Sequence, residues 1–503
     1  MVTLDGHSLT LDAIHSVAAH GEAVALAGEA RARIAVSREA VDVKARGAEP
    51  VYGINTGFGS FAEVRIDGDA LGALQVNLLR SHAAGVGDPL PEDAVRAMML
   101  LRANVLARGH SGISAGAVEA LLALLAAGIH PVVPRRGSVG ASGDLAPLAH
   151  LALVLIGEGE ATVGGRRVGG ADALAAAGLG PIVLGPKEGL ALINGTQAST
   201  AVLALALHKA ERLARAADMA AALSIDALRG STRPFDPRIH KARPHPGQTV
   251  SAANIARLMS GSAINASHAN CGRVQDAYSQ RCAAQVHGAA RDSLTFARRT
   301  VEIEANASTD NPMVFEDGDI VSGGNFHGAP VGIAADLTAI AVTHLATISE
   351  RRSERLVNPA LSGLPAFLTE RGGLESGLML AQVTAAALTS ELKSLAHPAS
   401  VDTIPTSANK EDHVSMSMGA ALKAADAVDL ATRVLAVELL LAARAIDLLA
   451  PLATSPALAR VHAHVRTVAP ARDGDWPPSY DIEAIAAEIA AGRFDHASGL
   501  DVN

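Results

Sequence analysis

Apolar residues in this chain gather into a few long segments, most of them in the second half. Residues 196–228, 330–357, 374–397 and 412–450 are rich in Ala and Leu, which favour helix. A patch of mixed charge, Glu350 to Arg355, closes the second. Pro398 ends the third and Pro451 the fourth, so the fourth predicts a helix of about 39 residues, about 58 Å at 1.5 Å per residue. Helices this long bury their apolar faces by packing side by side. The first 110 residues differ, because glycines break them into short pieces, as in Gly53-Ile54-Asn55-Thr56-Gly57-Phe58-Gly59. Short strands are expected at 162–168 and 313–321, where β-branched residues flank turn-forming Gly-Gly and Asp-Gly-Asp. A further helix is expected at 482–491.

The fold class that follows is mainly α: a long-helix bundle with a smaller mixed N-terminal region carrying few short strands. A soft boundary falls near residue 110, at Arg108-Gly109-His110-Ser111-Gly112. It separates residues 1–110, with Tyr52 and His82, from a helical domain of residues 111–503.

Composition narrows the function classes. Hydrophobic residues are 49% of the chain and charged ones 18%, which excludes a disordered protein. Aromatics are only 2%, so the core is aliphatic. A net charge of −9 gives no basic surface for nucleic acid or an anionic membrane. The longest uncharged apolar run, 120–129, is too short to span a bilayer. Asp5, His7 and Asp12 stand where an export signal needs a basic start and an apolar run. Two cysteines, Cys271 and Cys282, rule out a disulfide scaffold, and a cytoplasmic location is expected.

The most unusual loop is Gly137-Ser138-Val139-Gly140-Ala141-Ser142-Gly143-Asp144-Leu145-Ala146-Pro147-Leu148. It lacks the Gly-Lys-Ser/Thr of a phosphate loop and the Gly-x-Ser-x-Gly of a nucleophilic serine. One reading is a glycine-rich turn that caps a helix. Another is covalent. A tight bend can bring the Gly143 nitrogen onto the Ala141 carbonyl carbon. Ring closure with loss of two waters leaves an imidazolone, on which Ser142 has become an exocyclic methylidene. The flanking glycines permit the backbone angles this requires.

This loop resembles the self-processing loop of the aromatic amino acid ammonia-lyases. Further motifs are similar too: Tyr52 to Gly59, Ser81-His82-Ala83-Ala84-Gly85, Leu192 to Gln197, Gln275 to Cys282, Ser322 to His327, and Asn409-Lys410-Glu411-Asp412-His413. Within that family, the histidine ammonia-lyases are similar in Ser81-His82, Ala396 to Asp402 and Glu411 to Met416. The resemblance implies a helical homotetramer with sites shared between subunits; no nucleic-acid or membrane partner is expected from the charge balance. The implied reaction takes L-histidine to trans-urocanate and ammonia. The electrophile is 4-methylidene-imidazol-5-one (MIO), formed from Ala141-Ser142-Gly143, with no external cofactor.

It also implies residue roles. Tyr52 takes the β-proton; an ordinary Tyr has a pKa near 10, so that role needs a downward shift. Asn194 and Tyr278 contact the ring or its amine adduct. Arg281 clamps the substrate carboxylate, a task suited to a planar guanidinium. Gln275 and Phe326 are supporting and wall positions. His82 and Glu411 meet the substrate's side-chain ring, which favours imidazole over phenyl. Taken alone, each has a plainer reading: Tyr52 a packed ring, Asn194 a turn residue, Arg281 a surface arginine, His82 a helix histidine, Glu411 a helix-start acid.

Some positions depart from the histidine-lyase pattern. Lys410 replaces a Gln, Ala283-Ala284-Gln285 replaces Gln-Pro-Gln, and Leu392 replaces an Asn. A helix through Glu411 would turn Lys410 about 100° away from it. An enzyme of this family acting on tyrosine or phenylalanine, as lyase or 2,3-aminomutase, is the alternative. A helical scaffold without activity is a third reading. His462-x-His464 and Glu411-Asp412-His413 have loosely ligand-like spacing but make no full set, so no metal is expected.

Overall fold

Five helices dominate the computed structural model: Gln197–Ala227, Ala283–Ala305, Ala329–Val357, Met379–Leu395 and Ser417–Leu448. The structure describes residues 1–269 and 271–502, apart from the side chain of Ser60. The protein is mainly helical, with a few short strands. Four long segments form helices close to where the apolar pattern puts them. The helix expected over 412–450 starts only at Ser417, because Met416 has a left-handed backbone (φ 53°) and breaks the run. Glu411 therefore lies in a loop and is not a helix-start acid.

The chain divides into two compact units, each discontinuous in sequence. The first comprises Met1–Leu205, Arg298–Asp336 and Pro398–Leu422; the second comprises Ala206–Ala297, Leu337–His397 and Lys423–Asn503. Residue 110, where the sequence texture changes, lies inside the first unit.

The described strands all belong to the first unit. Val2–Leu4 pairs in parallel with Val24–Leu26, and Val86–Pro89 lies antiparallel to Pro134–Arg136. Glu160–Val163 and Arg166–Gly169 form the hairpin expected near 162–168, extended by Ile129–Pro131. Met313–Val314 and Ile320–Val321 form the second expected hairpin. Helix Glu92–Ala107 is the buried spine, covered by Leu11–His20, Gly28–Arg46 and Ala115–Ala126. Helix Leu145–Leu155 packs on Leu71–His82 and Glu188–Ile193. That contact gathers one end of each helix: His82 closes one, the Ala141–Gly143 loop precedes another, and Asn194 follows the third.

The second unit is helical throughout. Its interior holds charges that must be paired to be buried. Asp218 accepts from His287 Nδ1 (2.8 Å), Arg291 Nη2 (2.7 Å) and Asn254 Nδ2 (2.9 Å). Glu438 accepts from Arg352 through two bonds (2.5 and 2.8 Å) and from Ser224 Oγ (2.7 Å). Helix Ala329–Val357 is long and apolar enough to cross a membrane by length and composition, which a count of uncharged runs missed. Two-thirds of its apolar window is buried inside the protein, as in a core helix.

Candidate active site

A cavity of about 1150 Å³ lies in the first unit. It collects Tyr52, His82, Ala141, Ser142, Asn194, Phe326 and Glu411, which are separated by up to 359 positions in sequence.

The glycine-rich loop forms one wall. Gly143 has a left-handed backbone (φ 71°), and a Cβ there would stand 2.2 Å from the Gly195 carbonyl carbon and oxygen. No side chain fits at that approach. The next residue, Asp144, donates its N–H to the same Gly195 oxygen at 2.6 Å. The Asp144 carboxylate is fully buried and accepts from Ser138 Oγ (2.7 Å) and from Ser199 N and Oγ (2.7 and 2.8 Å). Burial pushes its pKa up, and those donors only partly offset the effect. Ala141 is buried, whereas Ser142 reaches the cavity and donates its hydroxyl to Glu411 Oε1 at 2.8 Å. A bent backbone, small neighbours and a projecting serine hydroxyl fit the requirements of ring closure.

Asn194 follows helix Glu188–Ile193 and is 4% exposed. Its Nδ2 donates to the Asn311 carbonyl at 3.0 Å, while its buried Oδ1 has no partner. One amide N–H and the whole amide oxygen stay open. The Tyr52 turn is held by Asn55, whose Oδ1 accepts from Val51 N at 2.7 Å. The Tyr52 oxygen accepts the Gly59 N–H at a long 3.4 Å, which leaves its own proton free.

The far wall carries His82 and Glu411. His82 Nδ1 lies 2.9 Å from the Leu78 carbonyl, which can only accept, so Nδ1 carries the proton and Nε2 is the acceptor. Burial pushes the His82 pKa down, favouring the neutral ring. Burial works against charge on Glu411 too, but hydroxyls from Thr406 (2.6 Å), Ser407 (2.8 Å) and Ser142 outweigh it and hold its pKa down. Glu411 is presented by a strained segment, since Ser407, Ala408 and Asn409 all have positive φ (50°, 53° and 66°). Because this segment is not helical, Lys410 lines the cavity beside Glu411 and is not turned away as expected.

The cavity also holds residues that motif reading did not assign. The His327 and His413 rings stack with centroids 5.7 Å apart and 7° between planes, and His327 Nε2 lies 3.1 Å from the His413 carbonyl. Both histidines stand in quoted motifs, but no spacing signals their stacking.

Gln275, Tyr278 and Arg281 do not line this cavity. They lie in the second unit, where Gln275 and Arg281 help line a separate cavity of about 790 Å³. Tyr278 is 71% exposed, with the Arg281 guanidinium 4.5 Å from its ring centroid. Ala283 and Ala284 are buried at the start of their helix, and Leu392 is buried in Met379–Leu395.

Residues 9–467 match the family model described as aromatic amino acid lyase. A histidine ammonia-lyase of Anaeromyxobacter sp. (strain K) is 56% identical over 502 residues, covering 98% of this chain and 99% of the relative. The crystal structure of histidine ammonia-lyase from Trypanosoma cruzi is similar with a TM-score of 0.93 and 44% identity, covering 99% of this chain and 95% of that one. A tyrosine aminomutase from Streptomyces globisporus has a TM-score of 0.95 at 39% identity, covering 99% and 98%.

Proposed function

The chain belongs to the aromatic amino acid lyase family, and from that premise we propose that it eliminates ammonia from L-histidine to give trans-urocanate. The observation that carries this reading is the pair of acceptors in the cavity, His82 Nε2 and the Glu411 carboxylate. An imidazole presents one N–H donor, or two when protonated. A phenyl ring presents none and would offer no donor to Glu411 Oε1 or His82 Nε2, while Thr406 and Ser407 continue to hold Oε2.

Ala141, Ser142 and Gly143 form the MIO group in this reading. The Gly143 nitrogen bonds to the Ala141 carbonyl carbon. That carbonyl oxygen leaves as water with the Gly143 and Ser142 amide protons. The Ser142 hydroxyl leaves as a second water with its own Cα proton. Once formed, the group supplies an electrophilic carbon that makes the substrate's amine a better leaving group. No external cofactor is needed.

The remaining roles belong to ordinary side chains. Tyr52 takes the β-proton, and Asn194 offers its open N–H and Oδ1 to the groups above it. Phe326 walls the cavity. Arg281 binds the substrate carboxylate, with Gln275 and Tyr278 beside it. These three line or flank the second unit's cavity, so we propose a homotetramer of dihedral symmetry in which another copy supplies them.

Lys410 favours a second reading. If it neutralises Glu411, tyrosine becomes the better substrate, as lyase or as 2,3-aminomutase. Comparing urocanate, coumarate and cinnamate formation from the three amino acids decides. Urocanate should dominate, and dominance of either other product overturns the histidine assignment.

A further inference from the structure

Helix Glu92–Ala107 buries a guanidinium that the reaction as described does not use. Arg102 is 0% exposed. Its Nη1 donates to the Asn194 carbonyl (2.8 Å) and to Gln197 Oε1 (2.6 Å), and its Nη2 donates to the Ala191 carbonyl. No carboxylate is among these partners. Asp310, whose field acts on Arg102, is itself paired with Lys187 at 3.1 Å. A buried cation held only by neutral acceptors is a poor device for stability, since an apolar side chain would avoid its desolvation. What the fork provides is geometry, because acceptors from Ala191, Asn194 and Gln197 are fixed together.

Among these, the Asn194 carbonyl belongs to the peptide Asn194-Gly195. A Cβ at Gly195 would stand 2.6 Å from Arg102 Nη1, 2.6 Å from Thr309 Oγ1 and 2.5 Å from Gln197 Oε1, so the strip is caged on this side. The Gly195 carbonyl in turn meets Gly143 and accepts the Asp144 N–H. Arg102 and the loop thus hold the same two residues through successive carbonyls, Asn194 and Gly195.

We propose that Arg102 is a positioning residue for the self-processing loop, fixing the Asn194-Gly195 backbone against which Gly143 bends and from which the Asn194 amide projects. The inference rests on the reading of Ala141-Ser142-Gly143 as a cyclising loop. Burial lowers the Arg102 pKa to about 10, which still leaves it charged at neutral pH.

The test uses the purified full chain and its Arg102→Lys and Arg102→Gln variants, read by intact mass, melting temperature and steady-state kinetics. Cyclisation lowers the mass by about 36 Da, two waters of about 18 Da each. Both variants should leave most chains at the full sequence mass. The processed remainder should show kcat down about 10²-fold with KM for L-histidine within about threefold, because the loss is one of placement. Lys keeps the charge without the fork, so a deficit restored in Arg102→Lys alone overturns the geometric argument. Complete deficits and wild-type kcat in both variants overturn the proposal, whatever happens to melting. Should both be insoluble, Gln197→Met decides, because it keeps the guanidinium and removes one acceptor: an incomplete deficit supports the proposal and a complete one with wild-type kcat overturns it. A wild-type protein without the deficit would instead sink the cyclising-loop reading itself.

Discussion

Replacing Glu411 with glutamine keeps the side chain's shape and removes its charge. In the fold, Glu411 Oε2 accepts from Thr406 and Ser407 hydroxyls at 2.6 and 2.8 Å. Hydroxyls can rotate to accept from the new amide, so the loop should persist and melting should change little. The loss should fall on the substrate's ring. A hydrogen bond to a charged partner contributes about 1.5–3 kcal/mol, and about 1.4 kcal/mol is tenfold, so kcat/KM for L-histidine should fall about 10- to 150-fold. The rate for L-phenylalanine, which has no ring N–H, should hold or rise. The assay follows urocanate and cinnamate absorbance for wild type and Glu411→Gln. A histidine kcat/KM within about threefold of wild type, or an equal fall for phenylalanine, would remove Glu411 from ring recognition.

Other substitutions separate the remaining roles. Ser142→Ala should fold, show no mass deficit of about 36 Da and lose nearly all turnover; product at the wild-type rate refutes the electrophile's origin. Tyr52→Phe should keep the deficit and lose about 10²–10⁴-fold in kcat, and activity above about a tenth of wild type removes it as the base. Co-expressed Tyr52→Phe and Arg281→Met chains, each inactive alone, should regain activity in mixed assemblies if copies share sites. No recovery, or a fully active monomer in light scattering, counts against sharing. In the second unit, burial pushes the His287 pKa down, despite the bond to Asp218. The unfolded ring therefore takes up a proton that the folded ring refuses, so this stability is complete above about pH 6.5 and falls as pH drops below it. His287→Gln should flatten the melting-temperature slope between about pH 7 and 5, and an unchanged slope rules the residue out.

Four of the five long helices were legible because their apolar runs are long, two of them ending at Pro398 and Pro451, whereas Ala283–Ala305, interrupted by charged residues such as Arg291 and Arg298, was not. Most of the site motifs could be read for a similar reason, since each is a short contiguous string. What stayed hidden depends on distant contacts. Nothing near Glu411 in sequence announces three successive left-handed residues, so the segment reads as the start of a helix and Lys410 reads as turned away. Arg102 shares helix Glu92–Ala107 with Arg96, and nothing nearby in sequence marks it as the buried one; its acceptors lie about 90 positions along the chain. The parallel pairing of Val2–Leu4 with Val24–Leu26 likewise rests on a helix that folds back between them.

The bond from Ser142 to Glu411 has a consequence for the order of events in the life of the protein. Under the proposed ring closure, the hydroxyl that is lost is the one that donates to Glu411 Oε1. The step that makes the electrophile would therefore also remove one donor from the carboxylate meant for the substrate's ring, leaving that oxygen to be satisfied by the substrate. The Ser142→Ala chain breaks this link: it should hold Oε1 open over an inert loop and capture histidine as a resting complex.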